Sequence, residues 1–545
     1  MHSRQPTIPW NGRTALAVVG ILALGLGLAE AAQKQEKAKA DIKAQSVQVG
    51  QPGASAALDA RGLGNVIDRA VDAQLKAEKV DVSQRTDDAA FLRRVYLDIT
   101  GQVPTAEKAV AFLDSQDTAK RAKLIDELLA SPEYGKHSAN LWQALLLPRN
   151  SDNRRLQFQP MHDWLEKSFN ENKPWDKMVH ELLTASGAQD KNGAVTFFLA
   201  NNTVDKMTDS VTKVFLGLQL QCAQCHNHPF TKWKQTEYWE MAAFFMKVQA
   251  NPPRNNQTAS PDVTETNNPR RGRNALPESA KRLPPKFLQG EAPKVGTSDP
   301  LRPVLADWLT TAKNPYFSKA MVNRTWQQFF GRGLVNPIDD MHEANTPSHP
   351  ELLKDLAAQF AAGGFDLKQL IRGICNSETY QRSSKPTGNN ADAPLTLYGH
   401  MPVKVLPPGE LYDALGTVLG NAGRAPGARR PQGVRAGSPR DQFIAFFNLD
   451  ENVDPTEYQA GIPQALRLMN GPQMNNGARA KAITRDAKTP EKAVEALFLT
   501  ALSRRPSKAE LEKMTTFVGK QSSAEQAYAD ILWVLVNTSE FTLNR

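Results

Sequence analysis

The sequence predicts a mainly α-helical protein, and three observations lead to this fold class. Apolar residues recur at helical spacing in many segments, for example at Val66, Ala70 and Val71. Alternating β-branched runs of the kind that form strands are scarce. The chain has 545 residues, which is too long for one compact core and indicates several units. Its 40% hydrophobic residues, 34 glycines and 36 prolines exclude collagen-like and wholly disordered classes.

The N-terminus has the pattern of a secretory signal. Arg4 and Arg13 precede an apolar run over 14–28, and small residues follow at 29–32. This order predicts a signal peptide over residues 1–32 and export to the periplasm or beyond. The alternative is an uncleaved membrane anchor, for which the run is shorter than the ~20 residues that span a bilayer comfortably. Membrane contact is expected only through such an uncleaved signal.

Composition divides the rest of the chain into four parts. Residues 33–62 are rich in Ala, Lys, Gln and Gly and are predicted to be a flexible tether. Residues 63–248 form a predicted N-terminal helical domain. Residues 249–299 are rich in Pro and Asn and carry too little apolar surface to offset the entropy of ordering, which predicts a disordered linker. Residues 300–545 form a predicted C-terminal helical domain.

The two predicted domains echo each other, which predicts an internal duplication of a helical module. LIDELLASPEYGKHSANLW at 124–142 and VLADWLTTAKNPYFSKAMVNRTW at 304–326 carry an aspartate, a tyrosine, an asparagine and a tryptophan in the same order. A further echo joins residues 96–113 to residues 498–518, where a helix ends before a proline and restarts after it.

Short polar signals predict where several helices begin. Asp176 and Asp366 each follow an aromatic residue, and each is predicted to N-cap the next helix. Ser507 and Glu510 have the spacing of a capping box, in which each side chain satisfies a backbone N–H of the other.

The charge balance is basic, with 66 Lys and Arg against 57 Asp and Glu, a formal net charge of +9 and a pI near 9.2. Much of the excess lies in the Pro, Gly and Asn-rich stretches 247–299 and 423–440. No nucleic-acid-binding motif and no interleaved aromatic residues accompany it. We therefore expect no nucleic-acid partner.

Long phrases of the chain resemble a known pair of families. From about residue 63 to the C-terminus the sequence is similar to the planctomycete families of unknown function fifteen-forty-nine, followed by fifteen-fifty-three. The resemblance implies an exported protein of unassigned activity, often fused or adjacent to planctomycete-type cytochrome c domains. No separate cytochrome module is recognised here, so a redox function would reside in the motif described next or in a partner. The phrases are FLRRVYLDITGQVPT, LIDELLASPEYG, FLGLQLQCAQCHNHPFTKWKQTEYWEMAAFF, NPYFSKAMVNRTWQQFFGRGLVNPIDD, SHPELL and NSETYQRSS.

One motif carries recognisable chemistry. Cys222, Cys225 and His226 form C-x-x-C-H, the attachment pattern of c-type haem. Two thiols one turn apart can bond two vinyl groups of one porphyrin, and the adjacent imidazole can ligate the iron. Two of the three cysteines of the chain lie here. The expected cofactor is haem c, with His226 as the metal ligand.

Other uses of the same residues stay open at this stage. Cys222 and Cys225 could form a local disulfide in an oxidising compartment. They could also bind zinc together with His226 and His228, although side chains so close in sequence would crowd a tetrahedral ion. A sixth iron ligand could come from Met241, from Met246 or from a distant histidine. The two cysteines, the two histidines and the two methionines all lie in the segment CAQCHNHPFTKWKQTEYWEMAAFFM.

The remaining candidate residues have plainer interpretations. Asp339, Asp340, His342 and Glu343 offer oxygen and nitrogen ligands, but a solvated loop or helix cap is the favoured interpretation. Cys375 is expected to be a small buried residue. No G-x-S-x-G elbow, phosphate-binding loop or dinucleotide fingerprint is present, so no catalytic residue is assigned.

The leading hypothesis is an exported haem protein that transfers electrons or serves a redox partner. The alternative is a non-redox helical scaffold that binds other exported surface proteins or polysaccharide. In that case Cys222 and Cys225 would form a disulfide or a zinc clip. The sequence names no enzymatic reaction.

Overall fold

A computed structural model describes residues 57–148, 156–251, 260–267, 283–420, 439–447 and 477–545. All of these lie in a single compact unit, residues 56–545. The unit is mainly α-helical, which confirms the predicted fold class. The predicted signal peptide and most of the predicted tether lie outside the described residues. Among the helices that are described, none has the length and apolar character needed to cross a membrane.

The first part of the described chain consists of helices joined by short turns, with 3₁₀ turns at Gly193–Val195, Gln221–Gln224 and Ala243–Phe245. The elements in chain order are α1 (Ala60–Glu78), α2 (Asp88–Thr100), α3 (Ala106–Asp114), α4 (Lys120–Ala130), α5 (Pro132–Leu146), α6 (Gln159–Asn170), α7 (Trp175–Thr184), β1 (Gly187–Ala188), α8 (Thr196–Ala200), α9 (Val204–Leu216), α10 (Gln235–Ala242), β2 (Val248–Asn251) and β3 (Asp262–Glu265).

The second part continues in the same style, with 3₁₀ turns at Gly388–Ala391 and Leu395–Leu397. Its elements are α11 (Arg302–Leu309), α12 (Phe317–Phe330), α13 (Pro350–Ala362), α14 (Leu367–Asn376), α15 (Glu378–Gln381), β4 (Lys404–Val405), α16 (Pro408–Leu419), α17 (Pro439–Phe447), α18 (Gly477–Thr484), α19 (Pro490–Leu502), α20 (Lys508–Lys520), α21 (Ala524–Val536), α22 (Ser539–Thr542) and β5 (Leu543–Asn544).

Local sequence explains several helix starts. Asp366 N-caps α14, where its carboxylate accepts a backbone N–H at 2.9 Å, and Ser507 with Glu510 forms the expected capping box of α20. The predicted cap at Asp176 is wrong, because α7 already includes this residue in its first turn. The N–H of Trp175 is satisfied instead by a carbonyl from the later part of the chain. A tertiary contact thus replaces the local cap.

Short strands occur where the sequence predicts a linker. β1, β3 and β2 form an antiparallel sheet in that spatial order, and β3 lies inside the range 249–299. Further along this range, Phe287 stacks between Phe244, at 5.3 Å between ring centroids, and Trp308, at 5.0 Å. The described pieces of the range are therefore packed against the helices, and a disordered linker is not confirmed.

One hydrophobic core joins the two predicted domains. Trp175 lies between Trp142, at 4.4 Å between ring centroids, and Phe317, at 6.4 Å. The Trp175 N–H donates to the Phe365 carbonyl at 3.0 Å. The rings of Trp142, Trp175, Phe317 and Phe365 are all buried in one cluster, which extends from Leu63 on α1 to Leu499 on α19. The division into two domains and the internal duplication stay predictions of the sequence.

Helix α1 and helix α14, which are far apart in the sequence, also approach each other closely. α1 lies against α14, and a Cβ added at Gly373 would stand 2.6 Å from the Leu63 Cβ. At this close approach only a residue without a side chain fits. From α1, the Asp68 carboxylate accepts the backbone N–H groups of Glu378 and Thr379 at 2.9 and 2.8 Å, which caps α15 across the interface. A second cluster is formed by the C-terminal helices α16–α22 together with Leu97 and Val103 from the first part of the chain.

A buried carboxylate connects three distant parts of the chain. Asp98, on α2, accepts hydrogen bonds from the Tyr380 hydroxyl at 2.8 Å and from the Asn544 amide at 2.7 Å. It also forms an ion pair with Lys404, whose ammonium donates to carbonyls at the end of α12. The side chain of Asp98 is only 4% exposed, so its charge depends on these partners.

Burial shifts the pKa values of two groups near this carboxylate toward the uncharged form. Burial raises the pKa of Glu410, at the start of α16, to about 8, although the positive charge of Lys404 opposes the shift. Burial also lowers the pKa of His137 to about 3. The His137 Nε2 lies 3.8 Å from the Glu410 carboxyl. Both shifts favour the uncharged forms, so we treat this contact as one between neutral groups.

We predict that Lys404→Met destabilises the protein strongly. The substitution leaves the Asp98 charge buried without its cation, which costs about 3–5 kcal/mol. Lys354→Met is the matched control, because its ion pair with Glu351 lies on the surface, with the Lys354 side chain 68% exposed. Denaturant unfolding of the full-length protein at pH 7 measures both. Equal small effects would contradict the role assigned to Asp98.

We predict that Glu410→Gln changes how stability depends on pH. Because the folded-state pKa of Glu410 is raised from 4.5 to about 8, the folded protein retains a proton that the unfolded chain loses. The free energy of unfolding of the wild type therefore contains a contribution that falls as pH rises through this window. The variant lacks this contribution and gains stability relative to wild type as the pH rises from 4.5 to about 8. Denaturant unfolding across that range tests this, and parallel curves would contradict it.

Candidate functional site

The C-x-x-C-H segment forms a surface turn between α9 and α10. Cys222 lies in the 3₁₀ turn Gln221–Gln224, and Cys225 follows it directly. Residues three apart in a 3₁₀ turn project from the same side. Both cysteines are exposed and unbonded, and His226 is exposed as well. The turn therefore presents two thiols and one imidazole to the solvent.

Side chains of α10 hold the backbone of the turn through hydrogen bonds. The Gln235 side-chain amide donates to the carbonyls of Gln224, at 3.1 Å, and Cys225, at 2.9 Å. The indole N–H of buried Trp239 donates to the same Gln224 carbonyl at 3.1 Å. Ala223, between the cysteines, is fully buried. The main chain is thus fixed while the reactive side chains stay accessible.

One hydrogen bond sets the tautomer of His226. The Nδ1 atom lies 2.7 Å from the backbone carbonyl of Asn227. A carbonyl can only accept, so Nδ1 carries the proton and Nε2 keeps its lone pair in the neutral ring. Metal-ligating histidines are commonly oriented in this way, with the second ring nitrogen donating to a carbonyl. In the neutral ring, the Nε2 atom of His226 is therefore the nitrogen that keeps its lone pair.

His228 is arranged differently. Its Nδ1 accepts the backbone N–H of Phe230 at 3.3 Å, so the neutral ring carries its proton on Nε2. Its backbone N–H donates to the Trp233 carbonyl at 2.8 Å, which closes the loop 228–233. Burial lowers the pKa of His228, which favours the neutral ring. In this arrangement His228 stabilises the loop and offers no free lone pair.

The zinc alternative has no matching geometry. No group of three or more His, Cys, Asp or Glu side chains within the described ranges is arranged to hold one metal ion. Of the two methionines that the sequence offers as sixth iron ligands, Met241 is fully buried in the core and Met246 is half-buried against it. The structure does not bring Met241 to the surface turn. A sixth ligand stays a prediction.

The later part of the chain supplies a neighbour for this turn. The Met341 N–H donates to the Gly217 carbonyl at 2.9 Å, where α9 ends with a positive φ of 66°. Glu343 forms a salt bridge with Lys232 in the loop that follows the motif. Asp340 and His342 lie close enough to act electrostatically on His228. The segment 339–343 is a loop, as the sequence predicts, and it flanks the motif loop.

A buried polar pair lies on the two helices that support the turn. The Tyr238 hydroxyl, on α10, donates to the Asp209 carboxylate, on α9, at 3.0 Å. Burial raises the pKa of Asp209 to about 6, while the hydrogen bond from Tyr238 opposes this rise. Cys225 lies close enough to act electrostatically on Tyr238. The pair is thus near the motif without touching its thiols.

The sequence does not reveal the residues that position the motif. No sequence pattern marks Gln235 as a residue that supports the turn. Trp239 could equally be an ordinary residue of the hydrophobic core. Glu343 lies more than a hundred positions from Lys232, so their pairing is visible only in three dimensions. Cys375 is fully buried on α14, as expected, and burial raises the pKa of its thiol.

Comparison with known families adds a further finding. Residues 66–250 match the family described as Protein of unknown function (DUF1549), and residues 301–441 match Protein of unknown function (DUF1553). The C-x-x-C-H turn lies within the first match, and the segment 339–343 lies within the second. The resemblance inferred from the sequence phrases is confirmed. No curated protein and no solved structure matches the chain.

We predict that thiol reagents distinguish the three cysteines. In reduced, haem-free protein, Cys222 and Cys225 should react with an alkylating reagent under native conditions, because both are exposed. Cys375 should react only after unfolding, because it is buried and its pKa is raised. Mass spectrometry of digested samples, with a denatured sample as the control, measures the three sites. Native labelling of Cys375 at a comparable rate would contradict the structure.

Proposed function

The chain belongs to the paired families DUF1549 and DUF1553, and from this premise we propose that it is an exported protein that binds one covalent c-type haem and transfers electrons to a redox partner. Cys222 and Cys225 are the attachment residues, and His226 is the iron ligand. One observation carries the proposal. Two exposed thiols on one side of a fixed turn stand beside an imidazole whose Nε2 lone pair is free.

The attachment chemistry requires what this turn offers. Cys222 and Cys225 would hold the haem through thioether bonds, each made by addition of a thiol S–H across one vinyl group, with the sulfur on one vinyl carbon and the hydrogen on the other. The exposed thiols of Cys222 and Cys225 are open to this reaction. The bound haem supplies a one-electron centre. The protein holds the turn through Gln235 and Trp239, and it presents His226 in one tautomer.

The geometry supports haem better than zinc. Zinc needs its four donors within about 2–2.3 Å of one point. A haem would instead be held by thioethers from Cys222 and Cys225 to two vinyl substituents and by the His226 imidazole on the iron, so the three side chains need not converge on one ion. The second histidine of the zinc hypothesis, His228, uses its Nδ1 to accept a hydrogen bond within its own loop.

The alternative is a non-redox scaffold, and the same exposed thiols favour it. Two cysteines on one side of a turn in an oxidising compartment can form a local disulfide between Cys222 and Cys225. The helices would then serve only to bind other exported proteins or polysaccharide. Cys→Ser variants would change stability, and no redox activity would exist to be lost.

We predict that the full-length protein is red when it is produced in a host that attaches c-type haem. The absorption of the haem should survive acid–acetone extraction, because thioether bonds are covalent. The double variant Cys222→Ala/Cys225→Ala should be colourless, and the control Cys375→Ala should stay red. A reference c-type cytochrome produced in the same cells shows that attachment works. A colourless wild type beside a red reference would contradict the proposal and favour the scaffold.

A further inference from the structure

Phe230 has an exposure that the protein alone does not explain. Its side chain is 82% exposed, the largest value among the large hydrophobic residues that the structure describes. Burying a phenylalanine side chain stabilises a protein by about 1.5–3 kcal/mol. At position 230 most of this stabilisation is absent. Phe230 follows His226 by four residues and lies in the loop 228–233. The most exposed large apolar group in the described part of the chain is thus next to the proposed attachment site.

The loop holds this ring outward by defined contacts. The Phe230 N–H donates to the His228 ring, and the two rings lie edge to face at 6.4 Å between centroids. The loop is closed by the bond between the His228 N–H and the Trp233 carbonyl, and Trp233 is anchored in the core at 4% exposure. Lys232, in the same loop, is fixed to Glu343. The exposed position of Phe230 is therefore built into the fold.

We propose that Phe230 packs against the porphyrin that is attached at Cys222 and Cys225, and that it shields one part of this ring from water. The inference rests on the proposed function. A porphyrin is a broad apolar ring, and its three attachment residues are exposed on the turn that leads into the Phe230 loop. The other exposed large hydrophobic residues lie in distant segments of the sequence. They are Val82, Leu395, Val403, Phe446 and Val534.

The contact would act on both stability and reduction potential. Burial of the Phe230 side chain would stabilise only the haem-loaded protein, because this side chain is exposed to water when no haem is bound. An apolar neighbour also disfavours the extra positive charge of oxidised iron, so it raises the reduction potential. A merely structural role in the loop would change the stability of both forms and leave the potential unaffected.

A double-mutant cycle tests the contact. Phe230→Ser is made in the haem-loaded protein and in the haem-free variant Cys222→Ala/Cys225→Ala, and unfolding midpoints are measured for all four proteins. The substitution should lower the midpoint of the haem-loaded form and leave that of the haem-free form unchanged. The reduction potential of the loaded Phe230→Ser protein should be lower than that of wild type. Leu395→Ser, at 52% exposure, is the control and should change neither quantity.

Two results would overturn this inference. One is an equal change, or no change, of the unfolding midpoint in the loaded and haem-free forms together with an unaltered potential. The other is a Leu395→Ser control that shifts the loaded form as much as Phe230→Ser does. Failure of the parent protein to acquire haem is a different result, because it contradicts the proposed function itself before the cycle begins.

Discussion

A single buried charge organises much of this fold. The carboxylate of Asp98 must be paired because it is almost inaccessible to water, and its partners Lys404, Tyr380 and Asn544 come from far along the chain. Satisfying it brings α2, α15, β4 and β5 to one place. Tyr380 and the aromatic rings around Trp175 belong to the same hydrophobic cluster. Because the parts matched by the two families are packed into one unit, the second can supply a flank to a site in the first.

The candidate site combines a rigid main chain with accessible side chains. Hydrogen bonds from Gln235 and Trp239 fix the turn, and they use only carbonyls, so the thiols of Cys222 and Cys225 stay free to react. The bond from the His226 Nδ1 to a neighbouring carbonyl selects the lone pair that can meet a metal. These features suit covalent attachment of a cofactor on the surface, and they set the site apart from a closed structural zinc centre.

The sequence predicted what local patterns determine. Helical periodicity gave the fold class, the capping box at Ser507 was correct, and the motif and the family resemblance were both readable. The cap at Asp176 was wrong because a long-range carbonyl satisfied the helix start instead. Strand β3 within the predicted linker, and the contact of Glu343 with Lys232, depend on pairing between distant segments. Composition and residue spacing do not predict such contacts, because they form between residues that are far apart in the sequence and share no local pattern.

The most direct test of the central claim is a peptide map of the full-length protein after production in a host that attaches c-type haem. The account predicts that the peptide containing Cys222 and Cys225 carries the mass of one haem and that the peptide containing Cys375 is unmodified. The contradicting result is an unmodified motif peptide, with its two cysteines joined in a disulfide, from cells in which a reference cytochrome has matured normally.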